Sequence, residues 1–307
     1  MTPDFVYGPV PSRRLGLSLG INLIPEKTCS FNCIYCQCGR TTRLTIKRQS
    51  WFPVQEIINQ VRSAVAGKKV DYLTLSGAGE PTLNLDLGKI IRLLKREFSI
   101  PVAVITNSSL LTEPEVRRAL YHADLIVPTL AAVDPRVFKR LHRAHPHLSI
   151  EKIIQGLKIF RTYYQGKIWI EVMLVKGIND SPAHLARLRQ VIYHLQPDLV
   201  HLNTVVRPPA ENYARALPFD DLVQIQLLFG PGTEIVPPPP KPAQKDFRGN
   251  PEQAVLAVIH NRPVTETDLN QALGIPHQTL RLTITRLLRA GKITKTKFQG
   301  KIFYQPV

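Results

Sequence analysis

The chain has 307 residues, enough to bury a full core and to hold one large unit plus a small one. Lys and Arg number 40 against 23 Asp and Glu, a formal charge of +17, which favours a polyanionic partner, most simply nucleic acid. No apolar run reaches a membrane span and Met1-Thr2-Pro3-Asp4 opens no leader, so a soluble, cytoplasmic protein with reduced thiols and no membrane partner is expected.

Residues 7–14 (YGPVPSRR) read as a lead-in punctuated by Pro and Gly, and 17–23 alternates like a strand. A cysteine loop follows at once, with Cys29, Cys33 and Cys36 spaced C-x3-C-x2-C. Three soft thiolates in so short a loop suit a metal, above all an iron–sulfur cluster. A disulfide pair does not suit a chain without a secretory leader. A zinc site recruiting Cys38 would cramp its last two ligands, whereas zinc usually takes two separated pairs. Cys38 is therefore read as a bystander.

Beyond the loop, strands and helices alternate. Helical spacing covers 54–66, 87–98, 113–122, 150–164, 182–195 and 220–229. Short apolar or β-rich runs cover 72–75, 102–105, 125–127, 168–175 and 199–205. Six such units predict an α/β fold, a partial (β/α)6 barrel over residues 1–236. In that architecture chemistry gathers where strands end. The cysteine loop ends strand one, Ser76-Gly77-Ala78-Gly79-Glu80 strand two and Thr106-Asn107 strand three. Thr129, Lys176 and Asn203 lie near the ends of strands four to six. Glu171, an acid inside an apolar strand, is open between a barrel-facing group and a paired structural carboxylate. The charges of Arg13 and Arg14 are open between an anionic substrate and solvent.

Pro237-Pro238-Pro239-Pro240 begins a stiff break, read as a linker over 237–248. Three short helices follow at 252–260, 265–273 and 278–290, then a hairpin from 292–296 and 301–304 around Gln299-Gly300. Residues 249–307 are thus expected to form a winged helix-turn-helix. Arg281, Arg286 and Arg289 sit on its third helix and Lys295, Lys297 and Lys301 on its wing, while Leu280, Ile284, Leu287 and Leu288 form the apolar stripe.

The cysteine run, with Tyr35 just before its last thiol, resembles the signature of the radical S-adenosylmethionine superfamily. The resemblance covers roughly residues 7–235 and implies a [4Fe–4S] cluster on Cys29, Cys33 and Cys36. The open iron would chelate S-adenosylmethionine, which is cleaved reductively to a 5′-deoxyadenosyl radical. Gly77, Ala78, Gly79 and Glu80 resemble the family's glycine-rich turn, which implies contacts with the methionyl group and an acceptor for its ammonium. Thr106 and Asn107 resemble the Thr-Asn pair of the cofactor-synthesis and wyosine-base branches. Lys176-Gly177-Ile178-Asn179-Asp180 resembles their Lys-Gly-x-Asn-Asp segment, so that Lys176 would meet a carboxylate or phosphate or stay solvated. Thr129 keeps a hydroxyl suited to a ribose, but Ala131 stands where relatives often carry Asp.

The likeness is nearest to the proteins grouped with wyosine-base synthases, yet the extra cysteines of the archaeal synthases and of the molybdenum-cofactor branch have no counterpart here. A single-cluster enzyme is implied, fed by an electron donor such as flavodoxin or ferredoxin. The expected function is modification of RNA, specifically tRNA, docked by the basic tail. Two alternatives are a radical enzyme acting on a protein or small molecule, with the tail as a protein-contact module, and an iron–sulfur DNA-binding regulator.

Overall fold

The structure is a computed structural model that describes residues 5–237, 247 and 249–307. The linker read at 237–248 falls, apart from Pro237 and Phe247, outside the described residues. In chain order the first part comprises β1 (Val6–Pro11), β2 (Leu17–Ile21), β3 (Thr28–Cys29), β4 (Arg43–Leu44), α1 (Val54–Val65), β5 (Tyr72–Leu75) and α2 (Leu87–Glu97). It continues with β6 (Val102–Thr106), α3 (Pro114–Leu120), β7 (Leu125–Pro128), α4 (Pro135–His142), α5 (Ile150–Tyr163) and β8 (Lys167–Leu174). Next come α6 (Pro182–Leu195), β9 (Leu199–Thr204), α7 (Phe219–Phe229) and β10 (Thr233–Ile235).

Eight of these ten strands form one sheet in the order β1-β2-β5-β6-β7-β8-β9-β10, and β3 and β4 pair separately. Only β1 runs antiparallel to its neighbour; the other pairings are parallel. The fold is α/β with a mostly parallel, open sheet. Two strands add to the six expected: β1, where Pro and Gly had suggested a lead-in, and the short edge strand β10. A strand tolerates Pro at an edge, where no ladder hydrogen bond is lost.

Period-two alternation divides β8 cleanly. Ile170, Val172 and Leu174 are fully buried against the helices, while Trp169, Glu171 and Met173 point to the inner face. The outer layer packs Leu19, Ile21, Leu73, Leu75 and Val104 against Ile57, Val61, Ile90 and Leu94 of the helices. On the inner face Leu15, Ala103, Leu125 and Val127 close the floor of the sheet. Chemistry is thereby confined to the other end.

Helix α4 has no counterpart in the periodicity reading, being only two turns long. Asp134 caps it by accepting from Arg136 N at 2.9 Å and Val137 N at 3.2 Å, with Pro135 at its first position. That Asp-Pro start is the signal in the sequence that marks it.

The C-terminal part holds α8 (Pro251–Asn261), α9 (Glu266–Leu273), α10 (His277–Arg289), β11 (Ile293–Phe298) and β12 (Lys301–Pro306), the last two an antiparallel hairpin. Leu280, Ile284 and Leu287 of α10 are buried with Val255, Val258, Ile259 and Leu269. Val10 of β1 belongs to this same core and Tyr7 packs against it. The tail is therefore docked on the antiparallel edge strand of the sheet.

Candidate active site

The cysteine loop is held from two sides by backbone hydrogen bonds. From the second-strand turn, Ala78 O accepts from Lys27 N at 2.7 Å and Glu80 N donates to Thr28 O at 3.2 Å. A Cβ on Gly79 would stand 2.1 Å from Thr28 O, so the close approach demands glycine there. From α4, Asn32 N donates to His142 O at 2.9 Å and Ile34 N to Leu141 O at 3.1 Å. After β9 the chain returns over the loop, where Glu211 N donates to Ile34 O at 3.0 Å and the Glu211 carboxylate meets Arg143 at 2.6 Å.

Cys29, Cys33 and Cys36 are free, half-buried thiols on this loop. Cys29 Sγ lies 3.4 Å from Asn107 Nδ2 and 3.5 Å from Phe31 N. Cys33 Sγ lies 3.3 Å from His142 Nδ1, and the Tyr35 hydroxyl is 3.3 Å from the same nitrogen. Burial, with the nearby Glu80 charge, pushes the Cys29 thiol up to about 12. Burial and the neighbouring Cys36 and Cys29 also raise Cys33, whereas a hydrogen bond from Cys38 holds Cys36 below its ordinary value. Thiols so close that each perturbs the next are a soft donor set that a cationic centre would deprotonate. Among the described residues no three Cys, His, Asp or Glu side chains close on a point for a single ion. Three thiols on one tight loop are the soft donors that an iron–sulfur cluster takes.

A cavity of about 310 Å³ opens beside the loop, its lining including Tyr35, Cys36, Cys38 and Gly77. Tyr7 and Ser76 line it as well, their hydroxyls 3.0 Å apart. Glu171 and Asn203 form a polar wall: Asn203 Nδ2 donates to Glu171 Oε1 at 3.1 Å and Thr129 Oγ1 to Glu171 Oε2 at 3.4 Å. Arg14 pairs with Glu171 as well. Burial alone would raise the Glu171 carboxyl, but Arg14, Asn203 and Arg13 together hold it below the ordinary carboxylate range. Glu171 is thus both barrel-facing and paired, which unites the two readings its position left open.

Glu80 braces the turn from within. Its carboxylate is buried and accepts from Thr82 N at 3.1 Å, Thr82 Oγ1 at 2.6 Å, Thr106 Oγ1 at 2.6 Å and Asn107 N at 2.7 Å. Three of these donors meet Oε1 and one meets Oε2, so the carboxylate braces the turn while Oε2 keeps accepting capacity. Thr106 donates to Glu80, while Asn107 reaches the loop through Cys29 and Ser30. Lys176 is exposed and does not line the cavity. Its neighbour Asn179 is the buried member of that segment, bonding Val175 N, Ala131 O and Met173 O.

The cavity lining also carries residues that sequence reasoning missed. Arg207 follows β9, and Asn261 and Arg262 end α8. Arg207 had one available signal, its place just past a strand end; Arg262 had none, because only tertiary packing brings α8 to the cavity. Cys38 Sγ sits 3.5 Å from Asn261 O, joining loop and tail. Burial, then the neighbouring Arg14 charge, lowers Arg13 to about 10. Burial, then Arg262, lowers Arg207 to about 9.

A model of the radical SAM superfamily matches residues 23–188. The chain belongs to the radical SAM superfamily. Membership makes it an enzyme and implies a [4Fe–4S] cluster with S-adenosylmethionine. This radical SAM protein is similar to a UPF0026 protein of Methanocaldococcus jannaschii, 34% identical over 97% of this chain and 94% of that protein. It also resembles a protein of Gloeobacter violaceus named as a probable dual-specificity RNA methyltransferase, 26% identical over 60% of this chain and 52% of that one. Among solved structures, a radical SAM methyltransferase from Sphaerobacter thermophilus matches with a TM-score of 0.56 and 20% identity, over 71% of this chain and 66% of that one. That likeness speaks for the fold alone. Among the described residues no helix is long and apolar enough to cross a membrane.

Proposed function

We propose that this radical SAM enzyme modifies RNA, specifically tRNA, in the cavity beside Cys36. The observation that carries this reading is that Asn261 and Arg262 of the C-terminal part line the same cavity as Cys36 and Gly77. A basic tail at the mouth of a reaction cavity suits a polyanion that must reach in. The partial likeness to an RNA methyltransferase supports the same class of substrate.

In this reading Cys29, Cys33 and Cys36 hold the cluster, which when bound supplies the electron that splits S-adenosylmethionine. Tyr35, Gly77, Ala78 and Gly79 flank the methionyl end, and their small size on the turn lets it approach the loop. Asn107 orients Cys29, and Thr129 steadies Glu171 at the polar wall. Residues 249–307 serve as a winged helix that docks the RNA, with residues 1–236 as the catalytic part. A flavodoxin or ferredoxin would deliver electrons in the cytoplasm.

A second reading has one specific support. Leu282 and Ile302 on the tail are exposed apolar side chains, at 55% and 50%, which suits a protein surface. The test is anaerobic reconstitution followed by 5′-deoxyadenosine release with and without cellular RNA, together with crosslinking and sequencing of bound RNA. Release stimulated by an enriched tRNA upholds the first reading. Release stimulated only by a protein or metabolite fraction overturns it.

A further inference from the structure

The structure assigns a phosphate-binding site to Arg13, Arg207 and Arg262, on the lining of the cavity beside the cysteine loop, where Arg207 reaches Gln37. Naming the phosphate as part of RNA rests on the function proposed above; the anion site itself rests on geometry. Arg13 comes from the turn between β1 and β2, Arg207 from the end of β9 and Arg262 from the end of α8, and all three line the cavity. The acid on the same lining, Glu171, is already taken by Arg14, Asn203 and Thr129. Among the described residues no carboxylate forms an ion pair with any of the three.

Arg207 makes the strongest case. It is only 9% exposed, its Nε has no hydrogen-bond partner, and its Nη1 reaches only the Gln37 amide oxygen at 3.4 Å. A guanidinium buried beside like charges is unfavourable unless an anion joins it. Asp268, beyond ion-pair reach, offsets part of the charge on Arg207 and Arg13, and water would satisfy the N–H without supplying the rest. Burial first, and then a neighbouring arginine charge, lowers both Arg13 and Arg207. Planar guanidinium groups converging from three elements suit the several oxygens of a phosphate.

The site also lies on a path. Arg13, Val206 and Arg207 line both this cavity and an adjoining groove of about 760 Å³ that runs to Phe298, Lys301 and Tyr304 of the hairpin. A strand lying in the groove would bring its backbone past the arginines before a base entered the cavity.

The test uses the full chain with its cluster assembled anaerobically, titrated by calorimetry with inorganic phosphate and, separately, with a 5′-phosphorylated tetrauridylate. Arg262→Gln carries the test, because Arg262 is half-buried at a helix end and the exchange keeps its polarity. Arg13→Gln and Arg13→Lys accompany it, with melting temperatures as the check on folding. Each Gln variant should weaken both probes about tenfold or more, as loss of one charge-assisted contact implies, and Arg13→Lys should recover part of that. Phosphate binding that depends on the arginines, without oligonucleotide binding, upholds the anion site while removing RNA as its source. Oligonucleotide binding indifferent to the variants overturns the anion site and leaves the RNA reading standing. No binding of either probe to the parent protein overturns the site. So does an equal weakening of S-adenosylmethionine in probe-free titrations, which would give the arginines to the cofactor.

Discussion

The Glu80 carboxylate accepts the Asn107 backbone N–H at 2.7 Å, and the Asn107 amide in turn lies 3.4 Å from Cys29 Sγ. One buried acid thus fixes the end of β6 against the loop that carries the thiols. Replacing it strands the donors of Thr82, Thr106 and Asn107 in the interior.

Glu80→Ala should therefore cost roughly 3–5 kcal/mol of stability, read by denaturant unfolding. Glu80→Gln should cost less, since its carbonyl still accepts. Full stability in Glu80→Ala, with weakened S-adenosylmethionine binding, would make Glu80 a ligand rather than a brace.

Cys29→Ala, Cys33→Ala and Cys36→Ala should each lose most of the iron after anaerobic reconstitution, and Cys38→Ala should keep it. Iron analysis and the visible absorption of the cluster measure this. A loss in Cys38→Ala equal to that in Cys33→Ala would make Cys38 a ligand.

The tail is not expected to be dispensable. Val10 is 4% exposed with the tail in place, and cutting after Pro237 would uncover it together with Tyr7. Val10 alone should cost about 2 kcal/mol, and the cavity would lose Asn261 and Arg262. A lowered melting temperature and impaired cluster assembly are expected; a truncated chain as stable as the parent would refute this.

RNA retained by the intact chain should fall with salt at a log–log slope of about −2 to −5, for three to five phosphates neutralised. Arg281 is a poor candidate among them, because its Nε is held by Glu266 Oε1 at 2.8 Å. Arg286→Gln should flatten the slope and Arg281→Gln should not, as filter binding across a salt series would show.

Acid should loosen the cavity wall. The folded state holds the Glu171 carboxyl below its ordinary value despite burial, so its contribution is complete above about pH 4.3 and is lost as pH falls through the folded value. His201 acts in the same direction at higher pH. Burial lowers it to about 4, so below about pH 6.5 the unfolded chain takes up a proton that the folded one refuses. Each group contributes at most about 1.4 kcal/mol per pH unit. Glu171→Gln should flatten the lower limb of a stability–pH curve and His201→Asn the upper one.

The local features of the site were legible in the residues. Thiol spacing, the glycine turn before Glu80 and the alternation of strands and helices act over a few residues, so they leave a pattern in the chain. The alternation along β8 even placed Glu171 on one face with Met173, though not beside a particular partner. Tertiary structure alone decided the partners. Burial gave the Glu80 carboxylate its donors from Thr82, Thr106 and Asn107, and left Lys176, whose surroundings resemble a site motif, in solvent. It also brought Arg13, Arg207 and Arg262 to one cavity from opposite ends of the chain. A charge has no periodicity and no fixed reach along the sequence, so its neighbours exist only once the sheet has formed and Val10 has docked the tail.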